Sequence, residues 1–327
     1  MTLRLTWSDF PDRLRARLEE VLGGPVVGTH SCRGGFSSSS AEILRSSAGR
    51  RLFVKAVREQ DNPGSMRLNR AEATVLEQMP DAAPVPALVA VIEQDEWFVL
   101  VTEAAPGELP AEPWDPAQLD QVLAAFDALQ DATTPCPVPG LPSVAESLGP
   151  DMLGFDRVAE DPPTNLDPWL AARLDELRAA ARRGIHALDG DTLCHSDVRA
   201  DNLLIVDGSG HIDGGEVNID GSASIGRGEV SIVDWAWASR GSRVADALQL
   251  LSSVEDVGGT LAVNARADAV LDVHGLPRKV GSDVFAGILG FFVDASRWPR
   301  DPSLPLLQQH RIQRRDSLLA LVRERWA

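Results

Sequence analysis

Residues 193–206 read LCHSDVRADNLLIV, a His, two Asp, an Arg and an Asn set between two apolar runs that look like buried strand. A surface turn draws on Gly, Asn or Asp. It has no use for His-x-Asp with an Asn five residues beyond the Asp. Asp197 is a carboxylate able to take the proton of an attacking hydroxyl, and Asn202 offers an uncharged oxygen to Mg2+. Farther on, Asp234 ends the alternating run VSIVD and can supply an anionic metal ligand. Lys55 puts an ammonium group inside the apolar strand LFVKAV, and Glu72, in NRAEATVLEQM, can pair with it. So paired, the ammonium would lie over the α- and β-phosphates of a nucleotide. In RGGFSSSS (33–40), Gly34 and Gly35 permit close backbone approach to phosphates, and Ser37 and Ser38 add hydroxyl donors. This loop lacks the terminal Gly-Lys-Ser/Thr of a P-loop. A base, two metal ligands, a cation and a phosphate loop are what phosphoryl transfer requires.

Taken singly, each piece has an ordinary explanation. Asp197 and Asn202 can be turn residues, and a strand lysine can snorkel from an edge. Glu72 can be an exposed helix acid, with Glu77 competing for the same pairing, although Glu77 follows the apolar Leu76 and looks more exposed. A Gly-Gly turn between strands is common.

These residues need elements to hold them. PVVGTH, SAEILRS and RLFVKAV are short strands broken by Gly/Ser turns, and SMRLNRAEATVLEQM carries a helical apolar stripe that ends before Pro84 and Pro86. VPALVAVIEQ and EWFVLVTEA make a further hairpin, so the order is β-β-β-α-β-β. After residue 103 the character changes to long helical segments, namely DPAQLDQVLAAFDALQDA, DPWLAARLDELRAAARRGIHAL and four more beyond residue 242. NLLIV and VSIVD are expected to pair as a hairpin that brings Asn202 and Asp234 together. The predicted class is α+β, with a small β-rich N-terminal lobe (1–103), a larger mainly α-helical lobe (104–327) and a cleft between them.

The 327 residues are 44% hydrophobic and 24% charged, ordinary values for a globular chain. No apolar run approaches the roughly 18 residues that span a bilayer, and the N-terminus shows no secretory pattern. A cytoplasmic protein is expected, with no membrane association and no obligate protein partner evident. Cys32, Cys136 and Cys194 have no paired spacing, which argues against a disulfide framework or zinc site, and Cys194 reads as a small buried residue. With 31 Lys and Arg against 48 Asp and Glu, the net charge of −17 repels nucleic acid and attracts a cationic small molecule. The same excess also serves solubility. DGSGHIDGG lacks the ligand positions of an EF-hand loop.

In order along the chain, the Gly/Ser loop, strand Lys, helix Glu, VTEAAPG, HSDVRADN and VDWAWA resemble the aminoglycoside phosphotransferase family. The resemblance runs from about residue 26 to 250. It implies a two-lobed protein-kinase-like fold and an ATP- or GTP- and Mg2+-dependent small-molecule kinase. By it, Asp197 is the catalytic base, Asn202 and Asp234 the Mg2+ ligands, and Lys55 the phosphate lysine paired with Glu72. The Thr102 carbonyl and Ala104 amide would meet the purine, and His195 would brace the catalytic loop. Arg199 either neutralises the surroundings of Asp197 or pairs with another acid.

Two departures stand out. Ser196 occupies the place where the family usually has Gly. The family's second metal Asp also follows the Asn more closely than Asp234 does, and Asp213 in HIDGG is nearer that distance. Asp234 is preferred, because a strand precedes it and Trp-Ala-Trp follows it. An inserted hairpin, residues ~209–227, then accounts for the extra length. An antibiotic-like cationic acceptor heads the expectations, followed by a metabolic kinase for an amino alcohol, amino sugar or homoserine-like acceptor, and then by a non-catalytic nucleotide-binding protein. Glu255, Asp256, Asp272 and Asp294 could line an acceptor pocket or could simply be solvated helix acids.

Overall fold

The computed structural model describes residues 5–32, 39–206, 230–256, 258–300 and 306–327. Gly34, Gly35, Ser37, Ser38, the expected inserted hairpin and Asp213 lie outside the described residues. The chain forms two compact units, one of residues 1–110 with 200–238, the other of 111–199 with 239–327.

In the first unit, α1 (Asp12–Leu22) precedes five strands, β1 (Val26–Ser31), β2 (Ser40–Ser46), β3 (Arg51–Arg58), β4 (Leu88–Gln94) and β5 (Trp97–Glu103). The helix α2 (Pro63–Glu77) joins β3 to β4. The strands make one antiparallel sheet in the order β1-β2-β3-β5-β4. The β-β-β-α-β-β order is therefore present, and α1 stands ahead of it. Leu14, Leu18 and Leu22 recur one helical turn apart, so α1 buries a stripe against Leu44, Leu52, Val54, Ala56, Val99 and Val101 on one face of the sheet. Each fully buried leucine contributes roughly 1.5–3 kcal/mol. Side chains alternate along a strand. Lys55, between the inward Val54 and Ala56, must therefore point to the other face, the one α2 packs on.

The helix α2 opens on Asn62, whose side chain accepts from the Ser65 amide, and Pro63 takes the first helical position where no donor is needed.

Among the described residues the second unit runs α3 (Pro116–Ala132), α4 (Val144–Met152), α5 (Gly154–Glu160), α6 (Pro168–Ala187), α7 (Ala245–Ser253), α8 (Val263–Val273), α9 (Lys279–Ala295) and α10 (Leu307–Arg325). Asp115 and Asp167 cap α3 and α6, each followed by Pro. The apolar α9 is the centre, packed by α4, α5, α6 and α10. At the α6–α9 crossing, a Cβ on Gly184 would lie 2.6 Å from the Asp283 carbonyl oxygen, so only glycine lets the two backbones meet.

The short strands β6 (Thr192–Cys194), β7 (Leu203–Ile205), β8 (Val230–Ile232) and β9 (Ser239–Gly241) flank the polar stretch. β7 pairs with β8 as the sequence predicts, Leu203 opposite Ile232 and Ile205 opposite Val230. β6 pairs with β9 in the second unit, Cys194 opposite Ser239. In the first unit β7 is also tied to the segment after β5 by reciprocal bonds of 2.9 and 2.8 Å between Glu108 and Ile205. Gly107, with φ +102°, permits that approach, since a Cβ there would stand 2.6 Å from the Ile205 carbonyl. Gly107→Ala is expected to cost more than about 1 kcal/mol. Thermal denaturation checks this, and an unchanged midpoint would contradict it.

Asp294 is not at a solvated surface. It is 3% exposed and accepts from Arg157 Nε (2.6 Å), Arg297 Nη2 (2.6 Å) and Trp298 Nε1 (3.2 Å). Burial alone would push its carboxyl up, but these donors outweigh burial and hold it below the usual value. The resulting stability is present above that usual value and is lost as pH falls through the lower folded one. Asp294→Asn is therefore expected to be less stable at neutral pH and to lose less on acidification below about pH 4. Melting curves from pH 2 to 7 check the prediction, and parallel acid limbs would contradict it. Among the described residues no helix is long and apolar enough to cross a membrane.

Candidate active site

Lys55 Nζ donates to Glu72 Oε2 at 2.6 Å and to Asp234 Oδ1 at 2.8 Å. The three side chains belong to β3, α2 and the residue two beyond β8, all in the first unit. Lys55 and Glu72 are nearly enclosed, at 14% and 6% side-chain exposure, and Asp234 is more open at 36%. Burial disfavours the Lys55 ammonium, yet the two carboxylates more than offset it and raise its pKa. Burial pushes the Glu72 carboxyl up against the pull of Lys55. Glu72 also accepts from the Trp235 backbone amide, so one carboxylate fixes both the lysine and the turn that carries Asp234. Glu77, the rival partner, is exposed.

Asp234 has φ +69° and begins a 3-10 turn, Trp235–Trp237. A non-glycine residue holds the left-handed region only when its surroundings fix it. Here Trp235 is 1% exposed and its Nε1 donates back to the Ile232 carbonyl at 3.0 Å. Asn202, 4% exposed, precedes β7, and its carbonyl accepts from the Val233 amide at 3.0 Å. The β7–β8 hairpin thus brings Asn202 to the turn that bears Asp234. One neutral and one anionic oxygen ligand suit Mg2+, which takes few protein ligands and completes its shell with phosphate and water. Among the described residues no group of three or more His, Cys, Asp and Glu gathers as a self-contained metal site.

On the Lys55 face, Ile43 lies opposite Phe53, which lies opposite Thr102. Ile43 and Phe53 are only half-buried, and Thr102 is buried. They make an apolar floor beside the ammonium. The Ala104 amide donates to the Arg51 carbonyl at 3.3 Å, so meeting a purine requires it to exchange that long bond.

The second unit carries Asp197, at 31% side-chain exposure. The loop before it is held by α7. Asp246, 2% exposed, accepts from the His195 amide (2.7 Å) and the Ser196 amide (3.1 Å). Gln249 takes the neighbouring groups, donating to the Ser196 carbonyl (3.1 Å) and accepting from the Val198 amide (3.3 Å). The buried His195 accepts from the Asp197 amide at Nδ1 (3.3 Å). Burial raises the Asp246 carboxyl, with His195 pulling the other way. Arg199 Nη1 stands 3.8 Å from Asp197 Oδ2, too far for a hydrogen bond, so it pairs with the carboxylate without covering it. Cys194 is 2% exposed, and burial, with Asp246 nearby, holds its thiol well above the usual value. It is a packed residue, as expected.

Sequence reasoning missed Asp246, Gln249, and the bonds from Lys55 to Asp234 and Trp235 to Glu72. Of the four acids considered for an acceptor pocket, Glu255 and Asp256 line a cavity of about 720 Å³ in the second unit, with Asn264, Gln313, Asp316 and Glu324. Among the described residues no Lys or Arg lines it. Asp272 instead pairs with Arg278 at 2.8 Å, and Asp294 is the buried ion-pair residue described above.

A family model described as the phosphotransferase enzyme family matches residues 31–216. A search of curated protein sequences finds no match. Among solved structures, the chain is similar to an aminoglycoside phosphotransferase from Alicyclobacillus acidocaldarius, at 18% identity over 92% of each chain with a TM-score of 0.52. It is also similar to the spectinomycin phosphotransferase APH(9)-Ia in complex with ADP and spectinomycin (12% identity, 94% of this chain and 93% of that one, TM-score 0.52). A third is a Thermobifida fusca protein assigned as a fructosamine-3-kinase (19% identity, 96% of this chain and 100% of that one, TM-score 0.55). At these identities the likeness shows the fold, an α+β fold with a five-stranded N-terminal sheet and a helical C-terminal part.

Proposed function

The chain belongs to the phosphotransferase enzyme family, and on that premise we propose that it transfers the γ-phosphoryl group of ATP or GTP to a hydroxyl of a small, cationic, antibiotic-like acceptor such as an aminoglycoside. The observation that carries this is Lys55 held between Glu72 and Asp234. A buried ammonium fixed by two carboxylates is a ready counter-charge for polyphosphate, and one of its partners doubles as a metal ligand. Residues 1–103 carry the nucleotide, whose purine lies on Ile43 and Phe53 near Thr102 and Ala104. Gly34, Gly35, Ser37 and Ser38, outside the described residues, are assigned to its phosphates on their residue types alone. Residues 104–327 carry the base and the acceptor, and also the metal ligands, Asn202 and Asp234, in the stretch 200–238 that belongs to the first unit.

Asp197 accepts the proton of the acceptor hydroxyl as its oxygen attacks the γ-phosphorus, and the nucleoside diphosphate departs. Lys55 orients the α- and β-phosphates. Asn202 and Asp234 would hold Mg2+, which when bound neutralises charge on the phosphate oxygens. His195, Asp246 and Gln249 keep the backbone on either side of Asp197 in place, so little reorganisation accompanies the transfer. The cavity lined by Glu255, Asp256, Asp316 and Glu324 supports a cationic acceptor. Such an enzyme works in the cytoplasm, where its nucleotide is.

A metabolic kinase for an amino sugar or amino alcohol is the second reading, favoured by the likeness to the Thermobifida fusca protein. Mg2+-dependent ADP and GDP release, measured against aminoglycosides, cationic cyclic peptides, macrolides, nucleoside antibiotics, choline-like alcohols and amino sugars, tests both. Stimulation by a cationic antibiotic supports the first, and stimulation confined to amino sugars or alcohols supports the second. No stimulation by any class, with nucleotide still bound, overturns both in favour of a non-catalytic nucleotide-binding protein.

A further inference from the structure

Ser196 immediately precedes Asp197 and has φ +64°, a left-handed backbone that side chains rarely adopt. It is 6% exposed. Three contacts hold it there. Its amide donates to Asp246, its carbonyl accepts from Gln249, and its hydroxyl meets the hydroxyl of Ser239. Ser239 is fully buried and opens β9, opposite Cys194 at the end of β6. Asp246 and Gln249 both hang from α7, so their bonds alone would let the loop rock with one helix. The serine pair fastens the same residue to a different element.

We propose that Ser196 and Ser239 are positioning residues, a buried hydroxyl pair that fixes the left-handed backbone before Asp197 and so aims its carboxylate at the acceptor hydroxyl. The inference rests on Asp197 being the catalytic base. An alternative role is mere mutual satisfaction, each hydroxyl present only because the other would be orphaned. The two roles predict different outcomes, because deleting both partners of a buried hydrogen bond restores most of the stability that deleting one removes. A positioning contact would not return with it.

The experiment compares Ser239→Ala, Ser196→Ala and the double variant by melting temperature, steady-state kinetics with the acceptor found for the wild type, and hydrogen exchange of amides 195–198. Ser239→Ala is expected to melt lower than wild type and the double variant to recover most of that loss. The kcat of all three is expected to stay about tenfold down, with KM for nucleotide and acceptor within about twofold. Exchange at 195–198 is expected to be faster in the double variant than in wild type. Recovery of kcat together with stability in the double variant would overturn the proposal, as would unchanged kcat in the single variants. If the wild type phosphorylates no acceptor, the kinase assignment itself fails. Exchange then decides the lock alone, and protection at 195–198 unchanged by the double substitution overturns it.

Discussion

Asp197→Asn is expected to lower kcat by about 10²–10⁴-fold, the range a positioned general base supplies, while nucleotide affinity stays within about twofold of wild type. The substitution keeps shape and removes only the ability to take a proton. The backbone around it is held by Asp246, Gln249 and His195. Arg199 Nη1 stands 3.8 Å from Asp197 Oδ2, a partly exposed contact of little consequence for stability. The folded state should survive the substitution, which a melting curve checks. Steady-state kinetics and calorimetric nucleotide titration check the prediction together. A loss of less than tenfold in kcat would remove Asp197 from the role of base, and a large loss of nucleotide affinity would make it a binding residue.

The second large effect is expected at Asp246, which touches no reacting atom. Asp246→Ala strips the acceptor from two buried amides at once, at about 1–3 kcal/mol for each donor left unsatisfied. It also removes the carboxylate facing His195. The variant should melt several degrees below wild type, and its folded fraction should turn over at least tenfold more slowly with little change in KM. Asp246→Asn is the milder control, because one oxygen can still accept from one of the two amides. Activity near wild type in a folded Asp246→Ala protein would mean that α7 does not hold the loop in a reactive geometry.

What could be read from the chain alone divides along physical lines. Short-range alternation gave the β7–β8 hairpin, and with it the approach of Asn202 to the turn at Asp234, because NLLIV and VSIVD are self-evident strands with no Pro or Gly inside them. Glu77 was the weaker candidate because it follows the apolar Leu76, whereas the burial of Glu72 on α2 is known only from the structure. The spacing of Leu14, Leu18 and Leu22 also specifies α1, which the expected β-β-β-α-β-β order does not contain. Asp246 could not be found this way. An acid in SRVADALQL looks like any solvated helix residue, and only the β6–β9 pairing shows His195 lying against α7. Asp294 misleads in part for the same reason, because one of its three partners, Arg157, stands 137 positions away along the chain, the others being the nearby Arg297 and Trp298. The Lys55–Asp234 bond spans 179 positions, a separation at which residue pattern carries no information.

Whether the γ-phosphoryl group moves, and to what, is the point on which everything else depends. The most direct measurement follows the label from γ-phosphate-labelled ATP and GTP through incubation of the wild-type protein with Mg2+ and the acceptor panel, with Asp197→Asn in parallel. Label on one class of acceptor in the wild type, appearing at least about a hundredfold more slowly in Asp197→Asn, is the predicted result. Label that stays on the nucleotide, or appears only as inorganic phosphate with every acceptor tested, would contradict it.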